Sequence, residues 1–187
     1  MVWKDYIPSK IKELYEVYDF KHAAAILSNE FPSEFKEICD ALLKFRFTMA
    51  DVKEAGGNES QIPKKFAKLL RSIDWKERCL TAKIIVDENE ISHDTHKVDF
   101  IKNRVAFDLE WNSKDQTFDR AFAALKAFFK YDRISVAILV VRRIAMGKLF
   151  LERLKERTIG LPVLVIGITE SHFKRKQLCK SAGARVF

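Results

Sequence analysis

The chain has 187 residues, 48% of them hydrophobic with 15 Phe, enough for one domain with a sizeable core and too apolar for a disordered chain. Its formal net charge of +8 favours an anionic partner, nucleic acid first, although many basic soluble proteins bind none. The N-terminus MVWKDYIPSK has no apolar signal core, and no run of about 18 apolar residues occurs, so neither secretion by such a signal nor a membrane-spanning helix is expected. Cys39, Cys79 and Cys179 are far apart and show no metal-ligand spacing, which points to reduced thiols in a cytoplasm.

In chain order, Ile11, Leu14, Tyr15, Tyr18, His22, Ala25 and Ile26 fall at helical spacing and predict a helix from Ser9 to Leu27, with His22 half-buried on its inner face. Phe31-Pro32-Ser33 breaks the chain and starts a second helix, carried by Phe35, Ile38, Leu42 and Phe45, to about Phe47. Gly56-Gly57-Asn58 reads as a turn, and a third helix follows from Glu59 to Ile73 with Pro63 in its first turn. From Cys79 the pattern changes: Leu80 to Val86 is strand-prone, and Asp87 to Glu90 turns the chain. Beyond residue 114, a helix is predicted over Thr117–Tyr131, buried strands over Ile134–Val141 and Leu161–Ile168, and helices over 146–157 and 170–181. A helix between buried apolar strands implies a crossover, so the expected fold class is α/β, a mixed sheet flanked by helices. Residues 1–187 are expected to share one domain, with 1–58 covering the sheet.

Residues 96–114, HKVDFIKNRVAFDLEWNSK, carry the chemistry. Val105, Phe107, Leu109 and Trp111 alternate with Ala106, Asp108, Glu110 and Asn112, so one strand face is apolar and the other holds two carboxylates. A two-residue turn at Asn103-Arg104 pairs Phe100 with Phe107 and Asp99 with Asp108. Asp99, Asp108 and Glu110 then converge on one patch, expected at an edge of the sheet. Like charges opposite each other destabilise a hairpin, and a divalent cation such as Mg²⁺ removes the conflict. Charged strand faces are more often simply solvated, and the pattern alone leaves that alternative open.

Basic residues cluster at 60–80, at 142–157 and in the tail. Each cluster neutralises phosphates or is a solvated helix face. Arg142 and Arg143 differ because they end a buried strand, where loops carry function. Asn112, Ser113 and Lys114 follow the acidic strand and suit base edges or phosphates, or form an ordinary turn. His93 and His96 read as loop histidines beside the hairpin. There is no Walker motif, no dinucleotide fingerprint, and no Ser-His-Asp or Cys-His signature.

The run from Lys97 to Trp111 resembles the active-site hairpin of BglII/BstYI-type restriction endonucleases, a type II branch of the PD-(D/E)xK nuclease superfamily. Phe118-Asp119-Arg120 resembles the helix start after the catalytic strand, and Ile134–Arg142 and Val163–Ile168 resemble the next core strands. Gly56–Ser60 resembles a turn before a helix, so the likeness spans about residues 56–168. It implies a nuclease core over 59–168, with 169–187 a C-terminal helix and tail. It further implies a restriction-endonuclease-like homodimer around double-stranded DNA, with one or two Mg²⁺ per active site, cutting both strands at a short palindromic sequence. By this resemblance Asp99 and Asp108 hold the metal with the Leu109 carbonyl, and Glu110 orients or deprotonates the attacking water. Glu59 is the nearest match to a helix-borne metal residue. Asn112, Ser113, Lys114, Arg120, Arg142 and Arg143 would contact DNA. Two departures stand out: Asp108 falls where the family has Glu, and Glu110 where the superfamily has Lys. The alternatives are a nuclease of repair or defence without fixed sequence specificity, and a catalytically inactive DNA-binding module.

Overall fold

Asn103 takes a left-handed backbone (φ 50), which a short polar side chain tolerates, and the chain reverses there between Lys102 and Val105. The Asn103 amide donates to Glu34, a buried carboxylate, so the turn is tied to the helical part of the chain. The computed structural model describes residues 2–48, 61–86, 89–111, 115–142, 148–149, 151–153, 155 and 160–169, without the side chains of 82–95 and 115–118.

Among the described residues the main elements follow in this order. They are α1 (Ser9–Leu14), β1 (Tyr15–Phe20), α2 (Ala23–Glu30), α3 (Pro32–Lys44), α4 (Gln61–Arg71), β2 (Lys76–Val86), β3 (Asn89–Lys102), β4 (Val105–Glu110), α5 (Asp115–Lys130), β5 (Val136–Val141) and β6 (Val163–Ile168). The strands form one mixed sheet in the order β1-β6-β5-β4-β3-β2. β4, β5 and β6 run parallel, while β1, β2 and β3 pair antiparallel with their neighbours. The long α5 is the crossover that a parallel β4–β5 pair requires. Residues 148–149 and 151–153 are helical, within the helix predicted over 146–157. The predicted turn at 56–58 and the predicted helix at 170–181 lie outside the described residues. No helix among the described residues is long and apolar enough to cross a membrane.

The helix expected from Ser9 to Leu27 is not continuous. Tyr15–Phe20 is instead the edge strand β1, with Tyr15 opposite Ile168 and Phe20 opposite Val163. The sequence YEVYDF satisfies both periods. The unpaired backbone groups of β6 favour the strand, because a buried strand cannot leave them unmet. Lys21 and His22 are both left-handed (φ 53 and 61), and they separate β1 from α2, whose Ala24 N–H donates to Asp19 Oδ1 at 2.7 Å. His22 is therefore exposed, not half-buried. β2 begins at Lys76, earlier than expected, because it pairs with the whole of β3. His93 and His96 lie within β3, not in a loop.

Both faces of the sheet are covered. Val105, Phe107, Leu109 and Trp111 pack with α1 to α4 on one face. Ala106, Leu139 and Val165 pack with α5 on the other. Phe107 has no exposed surface and stacks on Phe66 of α4 at 5.1 Å between ring centroids. Removing that ring leaves a cavity that rigid neighbours on both sides close only in part. Phe107→Ala is expected to cost about 3–5 kcal/mol in chemical denaturation; a loss under about 1 kcal/mol would show that the site collapses freely.

Candidate active site

β4 delivers Asp108 and Glu110 to the α5 side of the sheet because Phe107, Leu109 and Trp111 are committed to the opposite core. Asp108 is only 7% exposed. The β3–β4 ladder closes at Phe100 and Phe107, one residue short of the Asp99–Asp108 pair. There the Leu109 N–H donates to Asp99 Oδ2 at 3.4 Å, and the Asp99 and Asp108 carboxyl groups lie beside each other. On its other side, β3 carries a bulge. Lys76 faces Ile101 and Arg78 faces Val98, so Asp99 and Phe100 together oppose the single residue Glu77. Bulges re-aim side chains and recur beside active sites. This one falls on Asp99, where Phe100 faces one core and Val98 the other.

Burial, and then the negative charge of Asp99 and Glu110, pushes the Asp108 carboxyl well above the usual carboxylate range. The pair resists ionising together, which is the demand a hard cation meets with oxygen ligands. Two facing carboxyls with the neighbouring main chain fit a divalent ion that keeps part of its water shell. They do not fit a closed protein cage. Among the described residues, no group of three or more His, Cys, Asp or Glu side chains is placed to hold a metal ion. Glu110 lies two residues beyond Asp108 on the same strand face, about 6.6 Å along the strand, and it lines one cleft with Asp99 and Asp108. Nor does the patch lie on an edge strand, since β2 covers β3 and β5 covers β4.

A cleft of about 380 Å³ opens over these carboxylates. Arg120, Ala121 and Ala124 line it from α5, and the two alanines leave the room that longer side chains would fill. Lys97, His96 and Cys79 line it from β3 and β2. Lys97 Nζ lies 2.8 Å from Glu77 Oε2, and Glu77 holds that ammonium above the usual lysine range. Arg120 is exposed and lines the cleft. Arg142 is placed differently. Its guanidinium lies 5.2 Å over the Trp111 ring, toward the other face of the sheet, while its N–H donates to the Glu110 carbonyl at 3.3 Å. Glu59, Asn112, Ser113, Lys114 and Arg143 lie outside the described residues. Lys97 and Cys79 carry no sequence pattern that marks them as site residues; the position of Lys97 two residues before Asp99 on one strand is the signal available for it.

The order of the sheet and its helical covers define a restriction-endonuclease fold. The crystal structure of restriction endonuclease BglII complexed with a DNA 16-mer matches with a TM-score of 0.59, covering 83% of this chain and 78% of that one at 17% identity. Residues 15–168 match the family model for restriction endonuclease BglII/BglIII, and the chain belongs to that family. It is thereby a type II restriction endonuclease, a site-specific DNA hydrolase, in a family that generally uses divalent metal ions. Among curated proteins none matches the chain.

The raised Asp108 has a stability consequence. Its folded pKa lies above its unfolded one, so the folded state is favoured below the unfolded value, about 3.9. That contribution is lost as the pH rises through the folded value. In EDTA, Asp108→Asn is expected to melt above the parent near pH 8, with the gap closing toward about pH 4. Thermal melts across that range check it, and a gap independent of pH would mean that Asp108 ionises as freely as an exposed carboxyl.

Proposed function

We propose that this restriction endonuclease cleaves duplex DNA with Mg²⁺ held by Asp99 and Asp108 at the end of the β3–β4 pair. The observation that carries the proposal is the Asp99–Asp108 carboxyl pair in the lining of a cleft that also holds Lys97 and Arg120. Mg²⁺ is the favoured ion because it binds through one or two carboxylates plus substrate phosphate and keeps several waters. The Leu109 carbonyl adjoins Asp108 and would complete the protein's share of the ligands. When bound, the ion supplies Lewis-acid stabilisation of the charge that builds on the phosphate.

The remaining roles belong to the chain. Glu110 sits beyond the pair on the same strand, and its carboxylate accepts the proton of the attacking water. Arg120 on α5 lines the cleft and would bind a DNA phosphate. Asn112, Ser113 and Lys114 directly follow β4 and would read base edges or the flanking backbone, with Arg142 and Arg143 at the end of β5. Glu59 is the candidate for a further metal contact from the segment before α4. Cutting both strands of a palindrome calls for two such sites related by a two-fold axis, hence a homodimer.

Incubation with plasmid and phage DNA, with Mg²⁺ and with EDTA, tests this reading. Discrete Mg²⁺-dependent fragments are expected from the parent. Asp99→Ala and Asp108→Ala are expected to lose cleavage by at least about 10³-fold while keeping a cooperative melt. Undiminished cutting by either variant would remove these residues from the site. A smear in place of fragments would leave a nuclease without fixed specificity.

A further inference from the structure

A phosphodiester entering this cleft brings negative charge to a floor that already carries Asp99, Asp108 and Glu110. Fixed cations aimed at the developing charge are among the largest contributors to such a reaction. Among the described residues that line the cleft, the permanent cations are Arg120 on α5 and Lys97 on β3. Lys97 precedes Asp99 by two residues, on the strand whose bulge aims that carboxyl. Its ion-pair partner Glu77 is the β2 residue that faces the bulge. The side chains of the pair are 56% and 45% exposed, so their contact adds little to stability and leaves the ammonium free to change partners.

We propose that Lys97 is a catalytic residue of this nuclease: its ammonium passes from Glu77 to the scissile phosphate, and Glu77 keeps it at the mouth of the cleft until DNA arrives. The proposal rests on the hydrolase reading above. A compact ammonium with three rotatable donors suits a tetrahedral phosphate, and its flexible stem allows the transfer.

Lys97→Met keeps the aliphatic stem and removes the charge, so the fold is retained. At saturating DNA with Mg²⁺, Lys97→Met is expected to cut about 10²–10³-fold more slowly than the parent. Lys97→Arg is expected to recover most of that loss, and Glu77→Gln to lose less than about tenfold. In EDTA, gel shifts across a salt series are expected to show the slope of log affinity against log salt fall by about 0.9 per site in Lys97→Met. Parental cutting by Lys97→Met, alongside an inactive Asp108→Asn, would overturn the proposal and leave the hydrolase reading intact. Equal small losses in Lys97→Met and Glu77→Gln, with equal drops in melting temperature, would likewise overturn it and reduce the pair to a surface ion pair. A parent protein that leaves all DNA intact with Mg²⁺ would sink the hydrolase reading and this proposal together.

Discussion

Two carboxyl groups that face each other where β3 and β4 part are the constraint around which this protein is built. Neither can move away. Asp108 sits on a strand whose alternate side chains, Phe107 and Leu109, are locked into a core. Asp99 is turned toward it by a bulge and receives the Leu109 N–H. A hairpin left to itself would separate like charges. Here the packing on both faces of the sheet holds them together, and Asp108 stays protonated well above the usual carboxylate range.

The helical part of the chain supplies much of that hold. Glu37 on α3 accepts from Lys102 Nζ at 2.6 and 2.8 Å and from the Trp75 indole N–H at 2.8 Å. Lys102 also donates to the Ile73 carbonyl at 3.0 Å. Together with the contact between Asn103 and Glu34, these bonds fasten the turn of the β3–β4 hairpin to α3 and to the end of α4. Glu37 and Lys102 are only 30% and 24% exposed, so breaking one partner leaves a poorly solvated charge on the other. The aromatic chain Phe45, Phe66, Phe107 and Phe100 continues the same anchorage with ring centroids 5.0–6.3 Å apart. The site is thus held from the turn: the turn is fixed, and the carboxyls lie just beyond the last β3–β4 pair, Phe100 with Phe107.

That polarity explains the division of labour between the faces. On the α5 side, Ala121 and Ala124 leave open volume above the carboxylates, while Phe122, Leu125 and Phe128 of the same helix fill the core beside it. The cleft exists because small residues on α5 coincide with the end of β4. Opposite, Trp111 receives Phe47 edge-on at 5.2 Å and carries Arg142 on its face. A guanidinium stacked in this way is pre-organised, having lost rotamer freedom before any ligand arrives.

The hairpin and its register were legible in the sequence because they rest on local rules. Asn103 fits a left-handed turn, a two-residue turn fixes register, and a period of two sorts Phe107 from Asp108. The buried runs Val136–Val141 and Val163–Ile168 were legible for a similar reason: strands covered on both faces are apolar throughout. Three things needed the tertiary structure. Tyr15–Phe20 suits a helix or a strand equally, and the free edge of β6 decides between them. The bulge at Asp99 depends on where β2 pairs, which no residue of β3 specifies. The presence of Lys97 in the cleft follows from that bulge and from Glu77 across the strand gap. Local periodicity determined which residues share a strand face. Long-range backbone pairing decided how they meet, because hydrogen-bond partners for an edge or a bulge come from distant segments whose identity no local pattern encodes.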